Sequence, residues 1–202
     1  MISRDPAKVS QRILDAAERE FIEFGFVAAS TNRIAAGFGG SKATLFRHYS
    51  SKEALLEAVI HRIASQWRLE VRLSDLQDGE PHQWLTDFAV MVLAWILGEG
   101  PIFVGRLGIA EGQKFPRLAP VFQDAAGQPL EDALAVRLEL WTKAGALTSI
   151  DPAEDARLFF DLVVSGAVSR ALYGVEILSG ERLSAHAGRA TDLFLLGRLP
   201  RR

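Results

Sequence analysis

The fold of the chain is decided by the stretch TNRIAAGFGGSKATLFRHY, residues 31–49. It contains two short helical segments, Thr31 to Phe38 and Ser41 to His48, and the glycines 39–40 form a turn between them. Apolar residues recur every three or four positions from about Pro6 to Phe24, which predicts an amphipathic helix packed behind both segments. Three helices in this order predict a helix-turn-helix.

The second short helix carries the side chains that this motif would present to a nucleic acid. Leu45 and Tyr49 are four residues apart, so we expect both to face inward. Small and polar side chains are then left facing outward, and the smallest of them, Ala43, lets the helix approach base edges. The outward set is Lys42, Ala43, Thr44, Arg47 and His48. Taken singly, each of these cations also fits an ordinary solvated face.

The charges along the chain are unevenly distributed. The whole sequence has 23 basic and 25 acidic residues, a formal net charge of −2. Between Phe24 and Lys52, however, basic residues occur and acidic residues do not. A basic segment on an acidic body indicates an anionic partner that contacts one end of the molecule.

The rest of the sequence is also helical in pattern. Ser50 and Glu53 are spaced as a capping box, which predicts a long helix that starts there. Further helical stretches follow to the end of the sequence, and no stretch alternates with a period of two. We therefore expect an all-α fold of about nine helices, with residues 1–50 as the helix-turn-helix domain and 51–202 as a larger helical domain.

Several other classes of protein are disfavoured by the composition. The absence of cysteine excludes a disulfide scaffold, a thiolate zinc site and a cysteine nucleophile. The four histidines lack metal-ligand spacing, and no nucleotide-binding fingerprint is present, so we expect no metal, no cofactor and no enzyme. The longest apolar run, Phe88–Leu97, is ten residues, and the first residues lack a secretory signal. These features predict a cytoplasmic protein without a membrane partner.

The sequence resembles the tetracycline-repressor (TetR) family of bacterial transcription regulators. The similar motifs occur in order and with the family's spacing, at residues 13–17, 21–25, 31–35, 40–49 and 51–56. Residues 106–111 and the pair Phe115-Pro116 resemble the effector half of one branch of this family. The resemblance implies a dimeric repressor whose two heads bind a palindromic operator and whose larger domain binds a small apolar molecule.

The resemblance also implies a role for each matching residue in and just after the helix-turn-helix domain. Thr31, His48 and Lys52 match phosphate-contacting positions, and Asn32 matches a position that can reach a base. The groove-facing positions are matched by Lys42, Ala43, Thr44 and Arg47. Phe46 departs from the family, which usually has a tyrosine that donates its hydroxyl to a phosphate.

The larger domain is rich in bulky side chains. Ordinary core packing accounts for many of them, while the resemblance implies that some line an effector cavity, together with a few polar groups. The candidates for the effector site are Trp84, Phe88, Met91, Trp95, Phe103, Arg106, Trp141 and Phe160. Because most of these side chains are aromatic or apolar, we expect a small apolar or aromatic effector that controls DNA binding.

The last two predicted helices combine small and apolar residues, which permits close helix approach. The resemblance places a two-fold interface here, as a four-helix bundle, and predicts a homodimer. The expected interface residues are Phe159, Val163, Gly166, Arg170, Ala187, Ala190 and Phe194. The expected function is a ligand-responsive repressor of transcription. The alternative is a helical dimer that binds a ligand or a partner and has a weakened DNA-binding head, as Phe46 would allow.

Overall fold

The computed structural model describes residues 5–70, 79–111, 113–114 and 127–196, with the backbone alone at 66–70 and 111. Within these residues it has nine α-helices and no strand, which confirms the predicted all-α fold. The helices are α1 (Pro6–Ala28), α2 (Thr31–Gly37), α3 (Lys42–His48), α4 (Lys52–Glu70), α5 (Pro81–Ile96), α6 (Glu99–Glu111), α7 (Gln128–Lys143), α8 (Pro152–Leu172) and α9 (Gly180–Leu195). Phe115 and Pro116 lie outside the described residues.

None of the described helices is by itself long and apolar enough to cross a bilayer. The pair α5 and α6 reaches that length and composition only when the two helices are counted as one span.

The chain divides into two compact units. The first contains residues 1–65 and 103–122, and the second contains residues 66–102 and 123–202. The first unit therefore holds α1, α2 and α3 together with the first part of α4 and most of α6. The second unit holds α5, α7, α8 and α9.

The core of the first unit is formed by the apolar stripe of α1. Ile13, Ala17 and Phe21 recur at intervals of four and are fully buried, as the sequence pattern predicts. Ile34 of α2 and Leu45 of α3 are buried in the same unit. Each fully buried side chain of this size contributes about 1.5–3 kcal/mol of transfer free energy. The two short helices are therefore fixed mainly by one or two large side chains each.

The two ends of α1 are set by local chemistry. Asp5 caps the helix by accepting the Ala7 amide at 3.0 Å, and Pro6 occupies the first turn, where no amide donor is required. Gly25 interrupts the helix at the predicted position, with φ +71°, which favours glycine. The chain then resumes helical geometry as far as Ala28.

The start of α4 differs by one residue from the predicted capping box. Ser51, rather than Ser50, is the cap, because its hydroxyl accepts the Ala54 amide at 3.0 Å and the helix begins at Lys52. The prediction that Ser50 caps the helix is therefore wrong. Two adjacent serines offer two possible caps, and the sequence alone does not decide between them.

The core of the second unit joins α5, α7, α8 and α9. Phe88 of α5, Leu138 of α7, Phe159 of α8 and Phe194 of α9 all belong to one buried apolar cluster. The rings of Phe159 and Phe194 meet edge to face, with centroids 4.9 Å apart. This unit is thus a four-helix packing with an aromatic centre.

Candidate functional site

The short helix α3 presents the outward set that the sequence predicts. Ser41 caps it by accepting the Thr44 amide at 3.1 Å, and Arg47 donates to the Thr44 hydroxyl at 3.3 Å. Leu45 is buried and Tyr49 is half-buried, so the remaining face points to solvent. Lys42, Ala43, Phe46 and Arg47 are exposed, and Thr44 and His48 are half-buried.

A tight glycine turn precedes α3. Gly39 has φ +71°, and a Cβ at Gly40 would lie 1.9 Å from the ring of Phe38. Because Phe38 is itself buried, its ring has little freedom to move aside. The turn therefore requires glycine at position 40 for steric reasons.

The start of α2 is fixed by a buried carboxylate. Glu20 of α1 accepts the Ser30 amide at 2.7 Å and the Arg33 Nε at 2.8 Å, and Arg33 also donates to the Ala28 carbonyl at 3.1 Å. The guanidinium of Arg33 holds the pKa of Glu20 below its ordinary value of 4.5, although burial alone would raise it. Thr31 is half-buried and Asn32 is exposed at this helix start.

Sequence reasoning missed this ion pair and counted Arg33 among the charges of the basic segment. The available signal was the position of Glu20 on the apolar stripe of α1, where a charged residue requires a partner. Arg33 is 50% exposed but is paired with Glu20, and the other exposed cations of residues 24–52 are Lys42 and Arg47 on α3.

Glu20→Gln should lower the free energy of unfolding by about 1–3 kcal/mol, because it weakens charge-assisted hydrogen bonds to Arg33 and Ser30. The folded-state pKa of Glu20 is lowered, so its contribution is fully present above pH 4.5 and is lost as the pH falls through the folded value. Urea unfolding at pH 7 and at pH 3 measures this. At pH 7, the exposed Glu23→Gln should cost much less, and the gap between wild type and Glu20→Gln should narrow at pH 3. An equal gap at both pH values would contradict the assignment.

Lys52, a predicted phosphate contact, is partly engaged within the protein. Its ammonium donates to the Val27 carbonyl at 3.1 Å and lies 4.9 Å from the Phe26 ring centroid. An ammonium has three donors, so further hydrogen bonds remain open to it. Phe46 packs under the Lys42 ammonium at 5.9 Å rather than offering a hydroxyl.

Three of the predicted residues line a common cleft. It has a volume of about 450 Å³ beside α3, and Thr44, Arg47 and His48 form one of its walls. Pro6, Val9 and Arg12 of α1 and the turn 38–40 form the rest. The polar side chains of α3 therefore lie next to a concave surface.

Three of the effector candidates form an aromatic cluster in the second unit. Trp84 stacks on Phe88 at 5.3 Å with an angle of 10°, and it meets Trp141 edge to face at 5.4 Å. Arg137 lies over both indoles, 5.3 and 5.4 Å from their centroids, and was not predicted. The indole nitrogen of Trp84 is buried and finds no acceptor among the described residues.

The other five effector candidates are more dispersed. Met91, Trp95 and Phe160 are half-buried beside the aromatic core of the second unit. Phe103 and Arg106 belong to the first unit, where Phe103 is buried and Arg106 is exposed. The eight predicted residues are thus divided between the two units.

Most of the predicted interface residues of α8 and α9 are buried against other helices of the same chain. Phe159, Val163, Ala187, Ala190 and Phe194 belong to the core of the second unit and expose almost no surface. Gly166 is exposed, and Arg170 is half-buried beside Glu176 at 3.6 Å. Other apolar residues of the same helices are exposed, namely Leu158 and Leu162 on α8 and Leu193 on α9.

A capped short helix that follows a glycine turn, is held against two other helices and exposes polar and basic side chains defines a helix-turn-helix DNA-binding protein. Comparison of the sequence with known protein families indicates the same class of protein. Residues 13–59 match the pattern of the bacterial regulatory proteins of the tetR family, and residues 83–197 match the C-terminal domain of AefR-like transcriptional repressors. The chain belongs to the TetR family of transcriptional regulators, which are not enzymes.

Individual relatives are distant but cover nearly the whole chain. The transcriptional repressor AcnR of Corynebacterium glutamicum is 27% identical over 84% of this chain and 85% of its own length. A TetR-family regulator of Mesorhizobium loti has the same fold, with a TM-score of 0.85, 24% identity and coverage of 98% of this chain and 100% of its own. The flavonoid-responsive regulator FrrA is 28% identical, with a TM-score of 0.73 and coverage of 97% and 100%.

Proposed function

We propose that the protein represses transcription as a homodimer on a palindromic operator and is released from DNA by a small apolar or aromatic effector. The observation that carries the DNA-binding part is α3, with its one large buried side chain and its exposed polar and basic face. The major groove of DNA admits a helix, and polar and basic side chains on its outer face can hydrogen-bond to base edges. Bacterial DNA lies in the cytoplasm, so this function places the protein there.

On this proposal, one set of residues contacts the bases of the operator and another contacts its phosphates. Lys42, Thr44 and Arg47 of α3, with Asn32 of α2, read base edges, while Ala43 allows close approach. Thr31, His48 and Lys52 hold the phosphate backbone and fix the register. Lys52 contacts a phosphate with the donors that Val27 leaves free.

The dimer is proposed to form through the exposed leucines of α8 and α9. Leu158 and Leu162 are one helical turn apart on α8, and Leu193 adds an apolar side chain from α9. On this proposal, the two DNA-binding domains of the dimer occupy operator half-sites about 34 Å apart or a multiple of that distance. Residues 1–50 would then read DNA, and residues 51–202 would bind the effector and dimerise.

An effector with aromatic character is favoured because the second unit offers aromatic surfaces and, among its described residues, an unpaired buried indole donor. The cluster of Trp84, Phe88 and Trp141 supplies the surfaces, and the buried Trp84 indole nitrogen supplies the donor. The structural neighbour FrrA responds to flavonoids, by its name. An effector that binds one state of the dimer more tightly shifts the population away from the DNA-bound state.

Selection of duplexes from a random pool by the wild-type protein, followed by anisotropy titrations, tests the DNA-binding part. We expect one enriched palindrome. Arg47→Ala should cost about 1–3 kcal/mol of discrimination at one base pair, whereas Lys52→Ala should weaken all duplexes equally and lower the salt slope by about 1. Lys143→Ala, an exposed lysine of α7, should leave both quantities unchanged.

The same labelled palindrome tests the effector, with a flavonoid as the probe. Release of the duplex together with quenching of tryptophan emission supports the proposal. A selection that enriches no sequence would refute operator binding. It would favour the alternative of a ligand- or partner-binding dimer, for which the missing hydroxyl at Phe46 is the supporting observation.

A further inference from the structure

The recognition helix α3 has few apolar anchors. It is seven residues long, fewer than two full turns, and Leu45 is its one buried side chain. A single apolar contact fixes the depth of a helix but leaves it free to rotate and tilt. The angle of α3 therefore depends on other contacts.

Two polar contacts from α1 hold the two ends of α3. At its end, the Ser10 hydroxyl and the Tyr49 hydroxyl are 2.8 Å apart, and Tyr49 is the residue that terminates the helix. At its start, the Arg12 guanidinium donates to the carbonyl of Phe38, in the turn that leads into α3. Ser10 and Arg12 are two residues apart on α1, so one helix supplies both contacts.

The turn is shaped to receive Arg12. A Cβ at Gly39 would lie 3.1 Å from the Arg12 Nη2, so the guanidinium lies directly against the turn backbone. Arg12 also lines the cleft that Thr44, Arg47 and His48 line. The contact is therefore adjacent to the side chains that read DNA on our proposal.

We propose that Ser10 and Arg12 are positioning residues that hold α3 at the angle required for base readout, and that they set the discrimination between operator and other DNA without contacting a base. This inference rests on the proposed function, in which α3 reads base edges. Hydrogen bonds to bases tolerate only a few tenths of an ångström, whereas contacts to a uniform phosphate backbone survive a small tilt. Loss of either positioning contact should therefore lower the affinity for the operator more than the affinity for other DNA.

The test measures the affinities of single variants for the enriched palindrome and for a scrambled duplex of equal length. Ser10→Ala and Tyr49→Phe each remove the same hydrogen bond, so each should lower the ratio of the two affinities by about two- to tenfold. The double variant should be no worse than either single variant, because only one contact is lost. Arg12→Gln should lower the ratio by a similar factor.

Matched controls separate positioning from stability and from charge. Tyr173→Phe changes the other tyrosine of the chain, which is exposed, and Arg19→Gln removes an exposed cation from the same helix as Arg12. Both should leave the ratio unchanged. Circular dichroism melting should show that Ser10→Ala and Tyr49→Phe remain folded at the assay temperature.

Each outcome decides for or against the inference. A merely structural role would weaken binding to both duplexes equally and leave their ratio unchanged, and so would a phosphate contact by Arg12; either result overturns the proposal. A wild-type protein without any enriched sequence instead refutes the proposed function. An unchanged ratio in the variants of a specific wild type refutes only the positioning role.

Discussion

Leu162→Glu should convert the protein from a dimer to a monomer and weaken binding to a palindromic duplex by about a hundredfold or more. The Leu162 side chain is 40% exposed on α8, and Leu158, one turn before it, is 47% exposed. In the proposed dimer both are covered, so the substitution would bury two symmetry-related carboxylates without partners. The loss in DNA binding follows because two linked heads gain effective concentration that a single head lacks.

Light scattering gives the oligomeric state, and anisotropy gives the affinity for the duplex. Because Leu162 is exposed in the protomer, its replacement should leave the helical content unchanged. Leu140→Glu is the matched control, since Leu140 is a 52% exposed leucine on α7, outside the proposed interface. A Leu162→Glu protein that remains dimeric would show that the subunits meet elsewhere.

The choice of interface residues illustrates what a helical pattern can and cannot predict. The sequence places apolar residues on two sides of α8, with Phe159 and Val163 on one side and Leu158 and Leu162 on the other. Periodicity identifies both faces but does not say which one the same chain covers. The structure buries Phe159 and Val163 against other helices of the chain and leaves the leucines exposed.

The helix-turn-helix was predictable because its determinants are local. The proline and glycine that bound the main part of α1, the Ser41 cap and the glycine turn act within a few residues of where they stand. Their positions agree with the structure, apart from the shift from Ser50 to Ser51 at α4. Local signals therefore give the boundaries of the helices in the helix-turn-helix to within about one residue.

The polar pairings were not predictable in the same way, because they join residues distant in the sequence. Glu20 and Arg33, or Arg12 and the Phe38 carbonyl, come together only after the helices have packed. The contact of Arg137 with Trp84 is another example, since no spacing connects α7 with α5, whereas its contact with Trp141 is an i, i+4 pair within α7. Which aromatic side chain is core and which contacts a ligand is likewise a property of the packed structure.

Gly40→Ala should abolish preferential binding to the enriched duplex and lower the free energy of unfolding by about 1–3 kcal/mol. The new Cβ would lie 1.9 Å from the Phe38 ring, which is 4% exposed and therefore confined. Either the ring leaves the core or the turn opens, and in both cases the start of α3 is displaced. Chemical denaturation and anisotropy on the palindrome and its scrambled counterpart measure the two effects.

A control and a rescue make this prediction specific to the turn. Gly108→Ala, in the first unit, has no atom within 4 Å of its new Cβ and should leave binding unchanged while slightly favouring the helix α6. Adding Phe38→Leu to Gly40→Ala replaces the obstructing ring with a smaller side chain and should restore part of the specificity. Wild-type discrimination by Gly40→Ala alone would mean that the turn does not set the position of α3, because the steric conflict would then have been absorbed without moving the helix.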